Sequence, residues 1–275
     1  MRLDVSIYLD RSLLDAQFAS RVQRLACDAL PSWRGGALLR RSARDKVAVD
    51  LAAPGTLHDL ITRVITRPGP FYEELATRHG RPRFERPLGS AEFRGPTPAV
   101  ILVMHVDAYL VAPMETGFRW GNGITFQVCR SRVEGLPADE WARRTLRQMA
   151  EALAPAHAYA GRQEEYYAKN MDFSAGARAL GWDISRFLPG LYWLNYFGAP
   201  YVDLIGRDKL ATCPGASEVS GGGFVIGTAE KSGDWQSGAC REREQQVLDR
   251  LGRRYFFDRN RTGQPTVGLC CRAGA

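Results

Sequence analysis

Apolar and polar residues alternate from the start of the chain: Leu3, Val5, Ile7 and Leu9 of LDVSIYL repeat at the period of a half-buried strand. Asp10 follows as a candidate N-cap, after which Leu13, Leu14, Phe18, Val22 and Leu25 recur at helical spacing, so a helix is predicted next. Two more helical stretches are predicted at 57–67, led by Pro54-Gly55, and at 71–79, introduced by Pro68-Gly69-Pro70. Residues 80–98 break the pattern. They carry Pro82, Pro87, Pro96 and Pro98 with Gly89 and Gly95, and because proline removes a ladder donor and fixes φ, the stretch reads as an extended connector.

Two β-rich runs, 99–111 and 118–130, flank a short turn containing Pro113, the pattern of an antiparallel pair at the centre of a sheet. Pro137 then opens a helix whose Trp141, Leu146, Met149 and Leu153 share one side while Arg143, Arg144 and Arg147 face water. The rest predicts a helix around 161–171, an apolar strand at 191–197, a short helix at 200–210, a strand at 224–228 behind Gly221-Gly222-Gly223, and a last helix near 242–254. Mixed blocks with hairpin-like pairs favour an α+β fold, with a mixed or antiparallel central sheet covered by helices. A chain of 275 residues has room for one large domain or two small ones. The proline-rich stretch is the sole candidate boundary and does not read as a linker, so a single domain is predicted over 1–268, followed by a frayed tail at 269–275.

Composition supports a folded chain: 45% apolar and 24% charged residues lie far from a disordered profile. The net charge of +7 invites an acidic partner, nucleic acid included. Only four of the basic residues are lysines against 33 arginines, and pairs such as Arg40-Arg41, Arg143-Arg144 and Arg253-Arg254 are spread along the chain among acids. A nucleic-acid surface is usually a clustered stripe, so none is expected here. The longest apolar run, 99–113, is interrupted by His105 and Asp107 and falls short of the roughly 20 residues of a spanning helix, so no membrane association is expected. Asp4 and Asp10 stand where a secretory signal would have its apolar core, which predicts a cytoplasmic protein. Its six cysteines are dispersed and form no C-x-x-C pair, consistent with reduced thiols and no structural zinc.

Candidate chemistry is sparse. The four histidines, His58, His79, His105 and His157, are too far apart to share a metal on one helix, and neither a metal nor a cofactor is expected. His105 and Asp107 fall on one face of a predicted strand with Cys129 on the next, which permits a Cys-His-Asp hydrolase but is more readily read as a polar pair beside a small buried thiol. Gly121-Asn122-Gly123 and Gly221-Gly222-Gly223 lack the Gly-Lys-Ser/Thr continuation of a phosphate loop and read as turns. Glu73-Glu74 and Glu164-Glu165 are adjacent, and neighbouring helical residues diverge by about 100°, so they read as solvated faces rather than a glycosidase pair.

The distinctive stretch is 187–210, FLPGLYWLNYFGAPYVDLIGRDKL, with packed aromatics, a Gly198-Ala199-Pro200 break and a helix ending at Gly206. Pro189, Gly190, Leu191, Tyr192, Trp193, Leu194, Asn195, Tyr196, Phe197 and Gly198, followed by Val202, Ile205 and Gly206, resemble the corresponding segment of the Immunity protein 52 family of bacterial polymorphic-toxin antidotes. The resemblance spans about 24 residues, with Trp182-Asp183 and the later Gly-rich strand as flanking support. It implies an α+β cytoplasmic protein without catalysis that binds and neutralises a cognate toxin, a nuclease delivered by type VI or similar secretion.

The segment also has a mechanical reading. As a strand, it points Tyr192, Leu194 and Tyr196 to one face and Leu191, Trp193, Asn195 and Phe197 to the other, both largely apolar, so it builds the core. Partner contacts are then expected on loops and exposed helices, with Trp120, Glu164, Glu165, Tyr166, Tyr167, Trp182, Asp183, Asp234 and Trp235 as candidates. Two alternatives stand beside the antidote: the Cys129/His105/Asp107 hydrolase and a basic nucleic-acid-binding module. On the antidote reading, a net charge of +7 implies either a local acidic patch hidden in the sum or a toxin whose docking face is acidic.

Overall fold

The computed structural model describes residues 2–9, 11, 13, 15–35, 37–40, 46–65, 89–94, 100–106, 122–172, 178–179 and 188–257. In chain order the elements are β1 (Leu3–Leu9), α1 (Ala16–Ala29), β2 (Ala37–Arg40), β3 (Lys46–Val49), α2 (Thr56–Ile65), β4 (Gly89–Arg94), β5 (Val100–Val106) and β6 (Asn122–Val128). They continue with β7 (Arg132–Val133), β8 (Leu136–Pro137), α3 (Ala138–Leu153), β9 (His157–Arg162), α4 (Gln163–Asn170), β10 (Met171–Asp172), β11 (Arg178–Ala179) and β12 (Leu194–Phe197). The last are α5 (Ala199–Ile205), α6 (Arg207–Ala211), β13 (Ala216–Glu218), β14 (Phe224–Gly227) and α7 (Gly238–Leu251), with short 3-10 turns at Pro31–Gly35, Ser232–Gln236 and Arg253–Tyr255. The fold is α+β with antiparallel strand pairing, as the alternating blocks predict. The chain gathers into two compact units, 8–135 and 1–7 with 136–275.

In the unit built from 1–7 and 136–275 the strands follow the order β13-β14-β12-β9-β1. β12 is a central strand: Leu194 and Tyr196 lie opposite Ala160 and Ala158 of β9, and opposite Gly227 and Val225 of β14. Because side chains alternate, small residues of β9 lie on the same face as Leu194 and Tyr196, and His157 and Tyr159 lie on the face of Phe197 and Asn195. That second face is packed with Phe197, Phe224 and Ile226 against Tyr201, Val202 and Ile205 of α5, Leu210 of α6, and Val247 and Leu251 of α7. α3 packs on β9 and β12 with Trp141, Leu146, Met149 and Leu153 buried and Arg143, Arg144 and Arg147 exposed, as its pattern predicts. All four residues of β12 are buried, so the strand is covered on both faces.

In the unit 8–135 the order is β6-β5-β4-β2-β3, with α1 and α2 packed together. The predicted antiparallel pair is present as β5 and β6, in a register that sets Val100 opposite Val128 and His105 opposite Gly123. Two expectations change here and one pair of strands is new. The first helix is capped by Asp15, whose Oδ1 accepts from the Phe18 N–H at 2.8 Å, and not by Asp10, so Leu13 precedes the helix. The extended connector contains a strand: residues 89–94 are free of proline between Pro87 and Pro96, and β4 bonds to β2 on one side and β5 on the other. The hairpin of β2 and β3 had no counterpart in the sequence pattern. The helix predicted at 71–79 and the tail at 269–275 lie outside the described residues.

Elsewhere element boundaries move for identifiable reasons. The helix predicted around 161–171 is α4 alone, because the chain stays in β9 through Arg162. The helix predicted at 200–210 is two helices, since Gly206, at φ +103° and ψ 130°, ends α5 and starts α6. The last helix starts earlier, at Gly238, where the Ser237 side chain accepts from the Cys240 N–H at 3.1 Å. The strand predicted over 191–197 shrinks to 194–197, for a reason that belongs to the site itself.

Candidate functional site

Residues 188–193 approach β12 as a buried loop, and side chains hold its backbone where a ladder would otherwise do so. Asn195 is the first of these. Its Oδ1 accepts from the Tyr192 N–H at 2.9 Å and its Nδ2 donates to the Tyr192 carbonyl at 2.7 Å, so the chain bends at 193 and the strand begins only at Leu194. Thr228 Oγ1 donates to the same Tyr192 carbonyl at 3.0 Å, and Asn170 Nδ2 donates to the Pro189 carbonyl at 2.6 Å. The Tyr192 hydroxyl donates to Asn170 Oδ1, and its ring stacks on Tyr159 with centroids 4.1 Å apart. At the far end of β12, Gly198 lies so close to the preceding connection that a Cβ there would overlap the Pro155 carbonyl oxygen. The segment that stood out in the sequence is thus one packed structural unit.

Lys169 is the centre of the polar cluster behind this loop. Its ammonium donates to Glu165 Oε1 and to Glu244 Oε2, each at 2.9 Å, and to the Leu191 carbonyl. Three acceptors use all three of its protons, so Lys169 serves as a tie between α4, α7 and the loop rather than as a reactive amine. Glu165 is fully buried, and burial raises its carboxyl above the ordinary range even though Lys169 and the Trp193 backbone N–H pull the other way. Burial alone would lower the Lys169 ammonium, but the two carboxylates hold it above its usual value, so it stays charged. The local sequence suits this arrangement: α4 has Glu164 and Glu165 in its first turn and Lys169 in its last, which complements the helix dipole, and Glu165 precedes Lys169 by four residues.

A second polar connection lies at the C-terminal end of β9. Asp139 at the start of α3 accepts from the Ser232 N–H at 2.9 Å and from the Ser232 hydroxyl at 2.6 Å, while Arg162 Nε donates to the Ser232 oxygen at 2.6 Å. Trp193 is held at its ring nitrogen by the Ala229 carbonyl at 3.1 Å and covered by the Arg143 guanidinium 5.1 Å from its ring centroid. His157, on the α5 side of the sheet, places Nδ1 2.6 Å from the Tyr196 carbonyl oxygen. A carbonyl only accepts, so Nδ1 carries the proton, and full burial lowers the imidazole to about 4.

The predicted contact residues separate. Glu164, Tyr167 and Asp234 are exposed, and Tyr166 and Trp235 are half-buried. Glu165 is not on a solvated face: α4 turns it inward to Lys169, about 100° round the helix from the exposed Glu164. Trp120, Trp182 and Asp183 lie outside the described residues. The Cys129/His105/Asp107 constellation is not supported by the register. Cys129 follows Val128, which is opposite Val100, so it lies at the other end of the β5–β6 ladder from His105, about 20 Å away at the rise of a strand. Cys129 is also exposed rather than buried, and Asp107 lies outside the described residues. Sequence reasoning missed Lys169, Asn170, Thr228 and Glu244. Of these, the Glu165 to Lys169 spacing was the one visible signal. Among the described residues no group of three metal-ligating side chains lies together, and no helix is long and apolar enough to cross a membrane.

No protein-family model matches the chain, and no curated protein does either. Among solved structures, the fold is similar to a Pseudomonas aeruginosa T6SS protein, at 12% identity and a TM-score of 0.46, over 90% of this chain and 72% of that one.

Proposed function

We propose that this chain is an immunity protein: it binds a cognate toxin, delivered between bacteria by type VI or similar secretion, and neutralises it by direct contact without chemistry of its own. The observation that carries the reading is the resemblance of 187–210 to the Immunity protein 52 family, together with the use the fold makes of those residues. Asn195, Tyr192, Trp193 and Gly198 each have a specific structural task, and their bonds reach α4, β9, β14 and the connection ahead of β9. A motif of that kind marks a family by its core and leaves the helices and turns around it to carry the partner.

A stoichiometric inhibitor of this type would bury a standard interface of about 1,600 Å² in total. The test is co-expression with the toxin encoded beside this gene. The reading expects survival of the host and a complex that persists through size exclusion, and loss of both would end it. The nuclease character of the toxin is a finer expectation, read out by assaying the same toxin on DNA and RNA.

A further inference from the structure

α4 is held in an unusual way for this fold. The residues it buries are Glu165 and Asn170, both polar, with Tyr166 half-buried, whereas α3 and α7 bury apolar side chains. Its neighbours along the backbone are β9 and β10, the strands on either side of it in sequence, and β10 pairs with β11 in a two-stranded sheet of its own. α4 reaches α7 and the 188–193 loop through Lys169 and Asn170, which bond to Glu244 and to the Leu191 and Pro189 carbonyls. The chain is fixed just ahead of these bonds, where the Gln163 N–H donates to the Arg2 carbonyl at 3.0 Å and Arg162 donates to Ser232. A hinge belongs at that fixed point.

We propose that α4 is a strap that opens as a unit: it swings from its Gln163 end with the Lys169 and Asn170 bonds broken, β9, β12 and α7 stay folded, and Tyr192 and the 188–193 loop then face solvent. Polar bonds hold a helix less firmly than apolar burial does. Water replaces each of them when it breaks, so the net contribution of each is modest. Lys169, Glu165 and Glu244 also regain the hydration they gave up on burial. The structure beneath α4 has anchors of its own. Asn195 and Thr228 hold Tyr192, and Leu188 exchanges backbone bonds with Tyr255 and Phe257 at 2.8 and 2.7 Å, so the loop keeps its course without α4. What α4 covers is Tyr192: Asn170 meets its hydroxyl, and the Lys169 ammonium lies 5.5 Å from its ring centroid. The strap is a property of the free chain and does not depend on the toxin-binding reading.

Native-state hydrogen exchange of the full chain, followed at several urea concentrations below the unfolding transition, tests this. The readout is the amides of Tyr167 to Asn170, which bond within the helix, against those of β12. The α4 amides are expected to exchange about tenfold or more faster than those of β12, with a weaker urea dependence, because their opening uncovers little apolar surface. Lys169→Met should speed α4 exchange about tenfold or more. Ile226→Val, a small trim in the fully buried core around α5, α6 and α7, should speed β12 exchange about threefold and leave α4 exchange unchanged. Circular dichroism checks that both variants are folded. Equal rates and urea slopes for α4 and β12 in the wild type, or an Ile226→Val effect shared by both, would make α4 part of one cooperative unit and overturn the proposal. Wild-type α4 amides with no protection would overturn it as well, since there would be no closed strap to open.

Discussion

Asn195 holds the backbone of Tyr192 from both sides, accepting from its N–H at 2.9 Å and donating to its carbonyl at 2.7 Å. The side chain thus takes the place of a neighbouring strand for one residue. Replacing it with leucine, which keeps the branched four-atom skeleton and removes both bonds, leaves a buried N–H without its partner and should cost about 2–3 kcal/mol in urea unfolding. Aspartate would keep the acceptor and lose the donor, and should cost no less because it buries a charge. A leucine variant within 0.5 kcal/mol of the wild type, about the size of an ordinary surface change, would show that the bracket is incidental.

Lys169→Met should be more harmful than its partial exposure suggests. It strands Glu165, which has no access to water, and removes the tie to Glu244 and the Leu191 carbonyl. Breaking one side of a buried pair costs about 3–5 kcal/mol, while replacing both sides with apolar groups is often neutral. The double variant Lys169→Met with Glu165→Leu should therefore be more stable than Lys169→Met alone. Additive destabilisation in a double-mutant cycle would contradict the pairing.

Two glycines of the same motif should differ sharply when changed to alanine. At Gly206 nothing surrounds the position where a Cβ would sit, so only its φ of +103° resists, and the cost should be about 1–2 kcal/mol. At Gly198 the new methyl would meet the Pro155 and Ala156 carbonyl oxygens, which are backbone and cannot swing aside, so the cost should reach about 3 kcal/mol or prevent folding. Equal melting temperatures for the two variants would refute the close approach at Gly198.

The pH dependence of stability has two opposed contributions. His157 is lowered to about 4 in the folded state from 6.5, so the unfolded chain binds the extra proton: its contribution is complete above about 6.5 and is lost as pH falls toward 4, a change of about 3 kcal/mol. Asp4 is raised to about 6 from 3.8, so the folded chain binds the extra proton: its contribution is complete below about 3.8 and is lost as pH rises through 6. Asp4→Asn should therefore gain on the wild type as pH rises from 4 to 7. His157→Gln should show a shallower loss of stability between pH 6.5 and 4. Unfolding curves collected at half-unit intervals separate the two, and parallel profiles for wild type and His157→Gln would rule out a buried neutral imidazole.

Patterns that depend on one element alone were legible in the sequence. The strand at LDVSIYL, the apolar stripe of α3 and the β5–β6 pair each follow from residues close together in the chain, and the structure has them, although β1 is buried on both faces rather than half-buried. β9 was not legible, because HAYAGR alternates small and large residues rather than polar and apolar ones, as a strand buried on both faces does. Nor was the start of β12, since the bond that delays it comes from a side chain three residues ahead and looks, in sequence, like any asparagine in an apolar run.

Sequence alone determined the fold class, the amphipathic cover of the sheet and the segment by which the chain resembles an antidote family, because local periodicity and residue type carry that information. Only the tertiary structure decided which member of Glu164-Glu165 faces water, that Cys129 and His105 stand at opposite ends of a ladder, and that Lys169 ties together helices 75 residues apart in sequence. The reason is physical: which side of a helix is buried, and which strand position meets which, depends on partners that are distant in the chain and bring their own charge, shape and hydrogen bonds to the contact.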